Sequence, residues 1–220
     1  MLREIQCLRV APLVMLGLCA AWLVGPPAAP GKAALPFRIV PGPVPRKGEA
    51  PAPGGAGRLT LLGLTIVAEY LEPRARADFI RAVHPGAGDP FAAAPDRPDL
   101  YNAFRVTFDN QSSKDVTFHP GNVILMTDRN DEVSAIDLTD LYRTASGMEV
   151  ADPQAAIDAA RPFIFDSSTT IPRGRRLTRL LVFGPLPDRW KGLLLHFSFI
   201  EIGSEAHTLS LPFHRQILAG

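Results

Sequence analysis

Cysteine is almost missing from this 220-residue chain, whose only two, Cys7 and Cys19, both lie near its start. Everything after Cys19 is therefore without intrachain disulfides, thiol nucleophiles and cysteine-ligated zinc. The uncharged apolar stretch at residues 10–24 is short of the ~20 residues that a membrane-crossing helix needs. An excess of either charge is also lacking: 23 Lys and Arg stand against 22 Asp and Glu. Such a balance argues against nucleic acid as the main partner, because phosphate binding needs a concentrated basic surface. There is no His-x-His pair, no His-Glu-x-x-His, no Gly-x-Ser-x-Gly elbow and no complete calcium loop. No catalytic residue, metal ligand or cofactor is assigned on these grounds.

What is present first is a leader. Arg3 and Arg9 precede or open the apolar stretch, which ends at Gly25-Pro26-Pro27, the pattern of a secretory signal. Pro12 weakens it further as a spanning helix. Gly31-Lys32-Ala33 fits small-x-small cleavage, so residues 1–33 are assigned as a signal peptide; left uncleaved, the same segment is the chain's one route to a membrane. Cys19 follows Leu18 where a lipoprotein signal wants a small residue, so it belongs to the signal core. From Pro26 to Pro53 proline recurs, and Gly54, Gly55 and Gly57 close the tract. A chain so rich in proline resists hydrogen-bonded ladders, and residues 34–57 are expected to be a tether. The patch Phe37-Arg38-Ile39-Val40 interrupts it and is left with two outcomes besides, docking on the domain or pairing as an edge strand.

Residues 58–220 read as strands. In Phe104-Arg105-Val106-Thr107-Phe108-Asp109 even positions are apolar and odd ones polar, the period of a half-buried strand. Residues 207–214 repeat it with Leu209, Leu211 and Phe213 inward, and Pro212 predicts an edge, since proline cannot donate to a ladder. In residues 193–202 the apolar parity changes from Leu193, Leu195, Phe197 and Phe199 to Ile200 and Ile202, which predicts a bulge near Phe199. Further strands are expected at residues 59–70, 116–119, 122–127, 169–171 and 177–183, separated by Asn-, Asp-, Pro- and Gly-rich turns. The expected core includes Phe104, Val106, Phe108, Leu181, Phe183, Phe197 and Leu211. Seven or eight short strands so spaced predict an all-β, two-sheet sandwich.

Two helix-containing insertions break the rhythm. Residues 73–83 read as a helix with Phe79 and Val83 on one side; in residues 136–162, Asp152-Pro153 caps a helix over 154–161. Insertions on a rigid scaffold are where recognition usually sits. The second one mixes Asp137, Asp140, Arg143 and Glu149 with apolar groups, and Tyr142 and Met148 are its candidate interaction anchor with a charged rim. Other groups have ordinary explanations. Arg173, Arg175 and Arg179 share a parity and predict an exposed stripe at a strand edge. Asp128 to Glu132 alternates oxygen ligands yet lacks a calcium loop's glycine and distant glutamate, so a polar hairpin turn is expected. Asn110-Gln111-Ser112 matches a glycosylation triplet and reads as a turn. His196, His207 and His214 differ in parity and do not converge.

The aromatic strand Phe104 to Asn110, the later Val123-Ile124-Leu125-Met126, and Ile171-Pro172-Arg173-Gly174 leading to Leu180-Leu181-Val182-Phe183 resemble the secreted immunoglobulin-like domains of bacteria, including the mycobacterial secreted-antigen type. The resemblance covers residues 100–214. It implies an immunoglobulin-like fold and carries no shared active site. The chain departs from that type in its two insertions and in having no lipid-attachment signal. The expectation is a non-enzymatic interaction or accessory module of a bacterial cell envelope, periplasmic or extracellular, with an unknown envelope protein as partner. The rival is a periplasmic metal-binding protein using histidine or acidic-loop ligands.

Overall fold

The computed structural model of the chain describes residues 37–44, 55–92, 101–147, 152–187 and 189–218. The leader assigned to residues 1–33 lies outside them, and no helix of the described residues is long and apolar enough to cross a membrane. In chain order the described residues form β1 (Phe37–Pro41), β2 (Gly57–Leu61), β3 (Leu64–Leu71), α1 (Pro73–Val83), β4 (Asn102–Asn110), β5 (Val116–Phe118), β6 (Val123–Thr127), β7 (Glu132–Ser134), α2 (Leu138–Gly147), α3 (Pro153–Ala160), β8 (Thr169–Ile171), β9 (Arg175–Phe183), β10 (Gly192–Ile202) and β11 (Glu205–Ile217).

The strands make two antiparallel sheets, and neither closes into a barrel. The smaller has the order β2-β3-β4-β9, and the larger is built on β1-β11-β10. Along its other side β10 pairs first with β6, from Leu193 to Phe197, and then with β5, from Ile200 to Ile202. The register shifts between Phe197 and Ile200, so the parity change visible in the sequence marks the place where one partner strand replaces the other.

Alternate positions of β4 bind the sheets together. Phe108 stacks on Phe118 at 4.4 Å and meets Phe165 and Phe197 edge-on at 5.6 and 6.0 Å, while Phe104 meets Phe213 at 5.1 Å and Phe183 at 6.0 Å. All seven core residues expected from the sequence are buried. Rings in such edge-on and offset pairs add about 0.5–1.5 kcal/mol each beyond the area they bury.

The structure corrects several expectations. Residues 59–70 form a hairpin of β2 and β3, turned by Leu62 (φ 49°) and Gly63 (φ 87°). A Cβ at Gly63 would come within 2.9 Å of the Ser112 backbone, so steric room and positive φ both demand glycine there. On α1 the buried side chains are Arg76 and Ile80, whereas Val83 is exposed. Arg76 is fully enclosed because its Nε donates to Asp89 Oδ2 at 2.8 Å and its Nη2 to the Phe91 carbonyl at 2.9 Å, so the charge is paired on site. β11 is not an edge, since β1 pairs along it from Phe37↔Ile217 to Pro41↔Phe213. Its proline is tolerated because the missing N–H falls beyond the last pair. Gly42 N donates to the Pro212 carbonyl at 2.8 Å, and the Gly42 carbonyl accepts instead from His214 Nδ1 at 3.1 Å.

The tether expected over residues 34–57 therefore gives way at residues 37–41, where the edge-strand alternative for the Phe37 patch is the one found. Phe37 meets Trp190 edge-on at 6.3 Å, and the Arg215 guanidinium lies 4.0 Å from the Phe37 ring centre and 4.5 Å from that of Trp190. Trp190 is buried as a plug at this end of the two sheets.

The outer face of the smaller sheet is built in cross-strand rows. Leu71, Ala103 and Val182 form one; Glu69, Arg105 and Leu180 the next; then Arg58, Val67, Thr107 and Thr178; and last Thr60, Thr65, Asp109 and Arg176. Ile80 of α1, Leu138 of α2, Ile157 and Ala160 of α3, and Phe163 join Leu71, Ala103, Leu180 and Val182 in a second core. The two insertions thus converge on one half of one sheet face, and among the described residues no helix is packed over the other half, which Phe79 of α1 only borders.

Candidate functional site

The second insertion is held down before it is presented outward. Asp137 Oδ1 accepts from Asp140 N at 2.8 Å, and Asp166 Oδ1 accepts from Leu138 N at 3.0 Å, so carboxylates satisfy the first free amides of α2. Leu138 is buried and Leu141 packs against the second core. α3 begins as the sequence predicts, with Asp152 Oδ1 accepting from Ala155 N at 2.9 Å and Pro153 in the first turn. α2 and α3 lie in contact with each other over the sheet.

Tyr142 follows Leu141 and is 49% exposed, with the Arg143–Asp140 ion pair (2.8 Å) on the same helix. An exposed aromatic ring on a helix whose other side is fixed to a sheet is a rigid, low-entropy contact group. Met148, the second residue of the predicted anchor, lies outside the described residues. The segment thus divides by side: Leu138 and Leu141 are cover, and Tyr142 faces out.

The remaining candidates resolve into structure. Thr127 Oγ1 accepts from Arg129 N and Asp131 N at 3.2 and 3.1 Å and donates to Asp131 Oδ2 at 2.9 Å, while Asp128 Oδ1 accepts from Lys191 N at 3.0 Å. Asp131 is thus occupied in closing the β6–β7 hairpin, and Asp128 in tying that hairpin to the segment that enters β10. Asn110 is fully buried, and its Nδ2 donates to the Lys114 and Ile171 carbonyls at 2.9 Å each, so in the fold this amide is not open to a glycan. His196 pairs with Ser210 at 2.8 Å and His119 Nδ1 accepts from Gly121 N at 3.0 Å. Among the described residues no three His, Cys, Asp or Glu gather as a metal site would require.

The predicted arginine stripe does not form. Arg173 sits in the turn before β9, and Arg179 points to the inner side, where its Nη1 donates to the Ile164 carbonyl at 3.2 Å. Arg176, of the opposite parity to those three, faces outward on the half of the sheet that the helices leave uncovered. Sequence reasoning had no means to join it to Glu69 and Arg105, because they meet only through a strand register that one sequence does not display. Comparison of the chain with protein-family models, with curated proteins and with solved structures gives no match.

Proposed function

We propose that this chain is a non-enzymatic interaction or accessory module of a bacterial cell envelope, built on an immunoglobulin-like two-sheet sandwich and working in the periplasm or outside the cell. The observation that carries this reading is α2: a capped helix, anchored by Leu138 and Leu141, that turns a half-exposed Tyr142 away from the sheet. The leader pattern supports export, and the absence of cysteine after Cys19 suits a domain large enough to be stable without disulfides in an oxidising compartment. The partner is an envelope protein offering a pocket for one aromatic side chain and groups that pair with Arg143 or Asp140.

A photo-crosslinking amino acid placed at Tyr142 in the native host tests this. Defined adducts with an exported protein are the expected result, and Tyr142→Ala, with the crosslinker moved to the exposed Ser146 one turn further on, should remove them while shifting folding stability by no more than about 0.5 kcal/mol. Adducts formed only with cytoplasmic proteins would defeat the export reading. Adducts that persist undiminished in Tyr142→Ala would defeat the assignment of the contact.

A further inference from the structure

The half of the smaller sheet's outer face that the helices leave uncovered holds a cleft of about 310 Å³, walled by Phe79 of α1 and floored by Glu69, Arg105, Thr107, Thr178 and Arg176. Its volume is close to the ~300 Å³ lower bound of small-molecule sites, room for one ring and not for a folded peptide segment. The side chains are fixed in different degrees. Arg105 pairs across the strands with Glu69, and the Thr107 and Thr178 hydroxyls hydrogen-bond each other at 2.8 Å. Arg176 stands directly across from Asp109, yet Asp109 Oδ1 accepts from Gln111 Nε2 at 2.6 Å, and Arg176 has no hydrogen bond or ion pair among the described residues. The lining itself holds two arginines and one glutamate, and the nearest further acid, Asp109, is hydrogen-bonded to Gln111 and makes no ion pair with Arg176, whose guanidinium is left open to a ligand.

We propose that this cleft binds a monoanionic sugar acid, a hydroxylated ring bearing one carboxylate. The free guanidinium of Arg176 takes the carboxylate, the pairing for which its planar fork is shaped. The ring of Phe79 and the side chain of Val67 supply apolar surface for the C–H face of the sugar. The Thr107–Thr178 pair offers both a donor and an acceptor to ring hydroxyls, and Glu69, already oriented by Arg105, offers an acceptor. The groups come in pairs from three neighbouring strands, β3, β4 and β9, with Phe79 from α1, and placing them on a hydrogen-bonded sheet is how such a site is preorganised. It is separate from the Tyr142 contact and does not depend on where the protein resides.

The test is a titration of the full chain with sodium D-glucuronate, followed by backbone amide NMR shifts. Saturable changes should concentrate at residues 67–69, 105–107 and 176–178. D-glucose, which lacks the carboxylate, and acetate, which lacks the ring, should each bind at least ~tenfold more weakly, the loss expected when a charge-assisted contact or its ring partner is removed. Arg176→Gln, at an exposed position that leaves the fold intact, should weaken glucuronate by at least ~tenfold. Arg173→Gln, in the turn outside the cleft, should leave it within about twofold. Three results would each overturn the proposal: no saturation at the cleft amides, acetate binding as tightly as glucuronate, or Arg176→Gln binding like the parent.

Discussion

On the outer face of the smaller sheet two halves share strands, parity and backbone geometry and differ in what lies above them. Along β9 the outward residues are Val182 and Leu180 under the helices, then Thr178 and Arg176 in the open; along β4 they are Ala103, then Arg105, Thr107 and Asp109. The backbone has no part in this difference, since all these positions lie in one continuous antiparallel ladder. The fully apolar outward residues stand where a second layer removes water from them, while the other half carries charged groups and a Thr107–Thr178 pair whose hydroxyls satisfy each other, so that Thr107 is buried without an unpaired polar atom. A strand that is apolar at every position over part of its length, as in Leu180-Leu181-Val182-Phe183, therefore reports cover on both faces, and the residue where alternation resumes marks the edge of that cover.

The sharpest test of the comparison substitutes along one strand. Leu180→Ala, under the helices, should cost about 2–5 kcal/mol, because it empties space between α3, Phe163 and the sheet. The double variant Thr107→Val/Thr178→Val, one row further on, should be nearly neutral, since both partners of one hydrogen bond leave together. Denaturant midpoints at an unchanged m-value read both. Equal losses at the two rows would mean that the open half contributes to stability no less than the covered half, and the distinction between them would fail.

A smaller effect is expected at the end of the larger sheet. Phe37→Ala removes an edge-on contact with Trp190 and a ring under Arg215, and should cost about 1–2 kcal/mol in total. This value separates a strand that belongs to the domain from a tether that merely leads to it. No change in midpoint would show that β1 adds nothing to the fold despite its pairing with β11.

The parts of the fold that the sequence displays are those with a local signature. β4, β10 and β11 alternate cleanly, the bulge in β10 appears as a parity change, and Asp152-Pro153 announces α3. What is hidden depends on partners distant in sequence. The β2–β3 turn carries Leu62 at positive φ in place of the Asn-Gly or Asp-Gly that marks such turns, so two strands read as one. β7 is three residues of weak character, Glu132, Val133 and Ser134, and becomes a strand only by pairing with β6. The Asp137–Asp140 capping pair was a usable signal for α2, masked by the irregular apolar spacing after it. Pro212 misleads because the rule about proline and edges concerns the direction of one missing N–H, and direction needs the register. Of the candidate site, the outward position of Tyr142 was legible as an aromatic with no structural task, whereas the cleft joins residues 69, 79, 105 and 176 and has no local signature.

The smallest effect belongs to an exposed surface pair outside both halves of the sheet face. Lys114 Nζ donates to Glu205 Oε1 at 2.8 Å, linking the loop after β4 to the β10–β11 turn, which Gly203 N also ties to the Asp115 carbonyl at 2.8 Å. The hydrogen bond from Lys114, then its charge, hold the Glu205 carboxyl below the ordinary glutamate range, against slight desolvation and with a small contribution from His207. A carboxyl that holds its proton less tightly in the fold than in the unfolded chain favours the fold above its unfolded pKa, and that contribution fades as pH falls through the folded pKa. Both side chains are well exposed, so solvent and salt screen the pair and the change in stability will be slight. The carboxyl titration itself remains readable by NMR. Glu205 should titrate at lower pH than a glutamate in an unfolded peptide, and Lys114→Gln should raise its midpoint while leaving the Gly203–Asp115 backbone bond in place. Added salt should move the parent in the same direction and the variant less. A midpoint that Lys114→Gln leaves unmoved would show that the turn is held by its backbone bond and owes nothing to the ion pair.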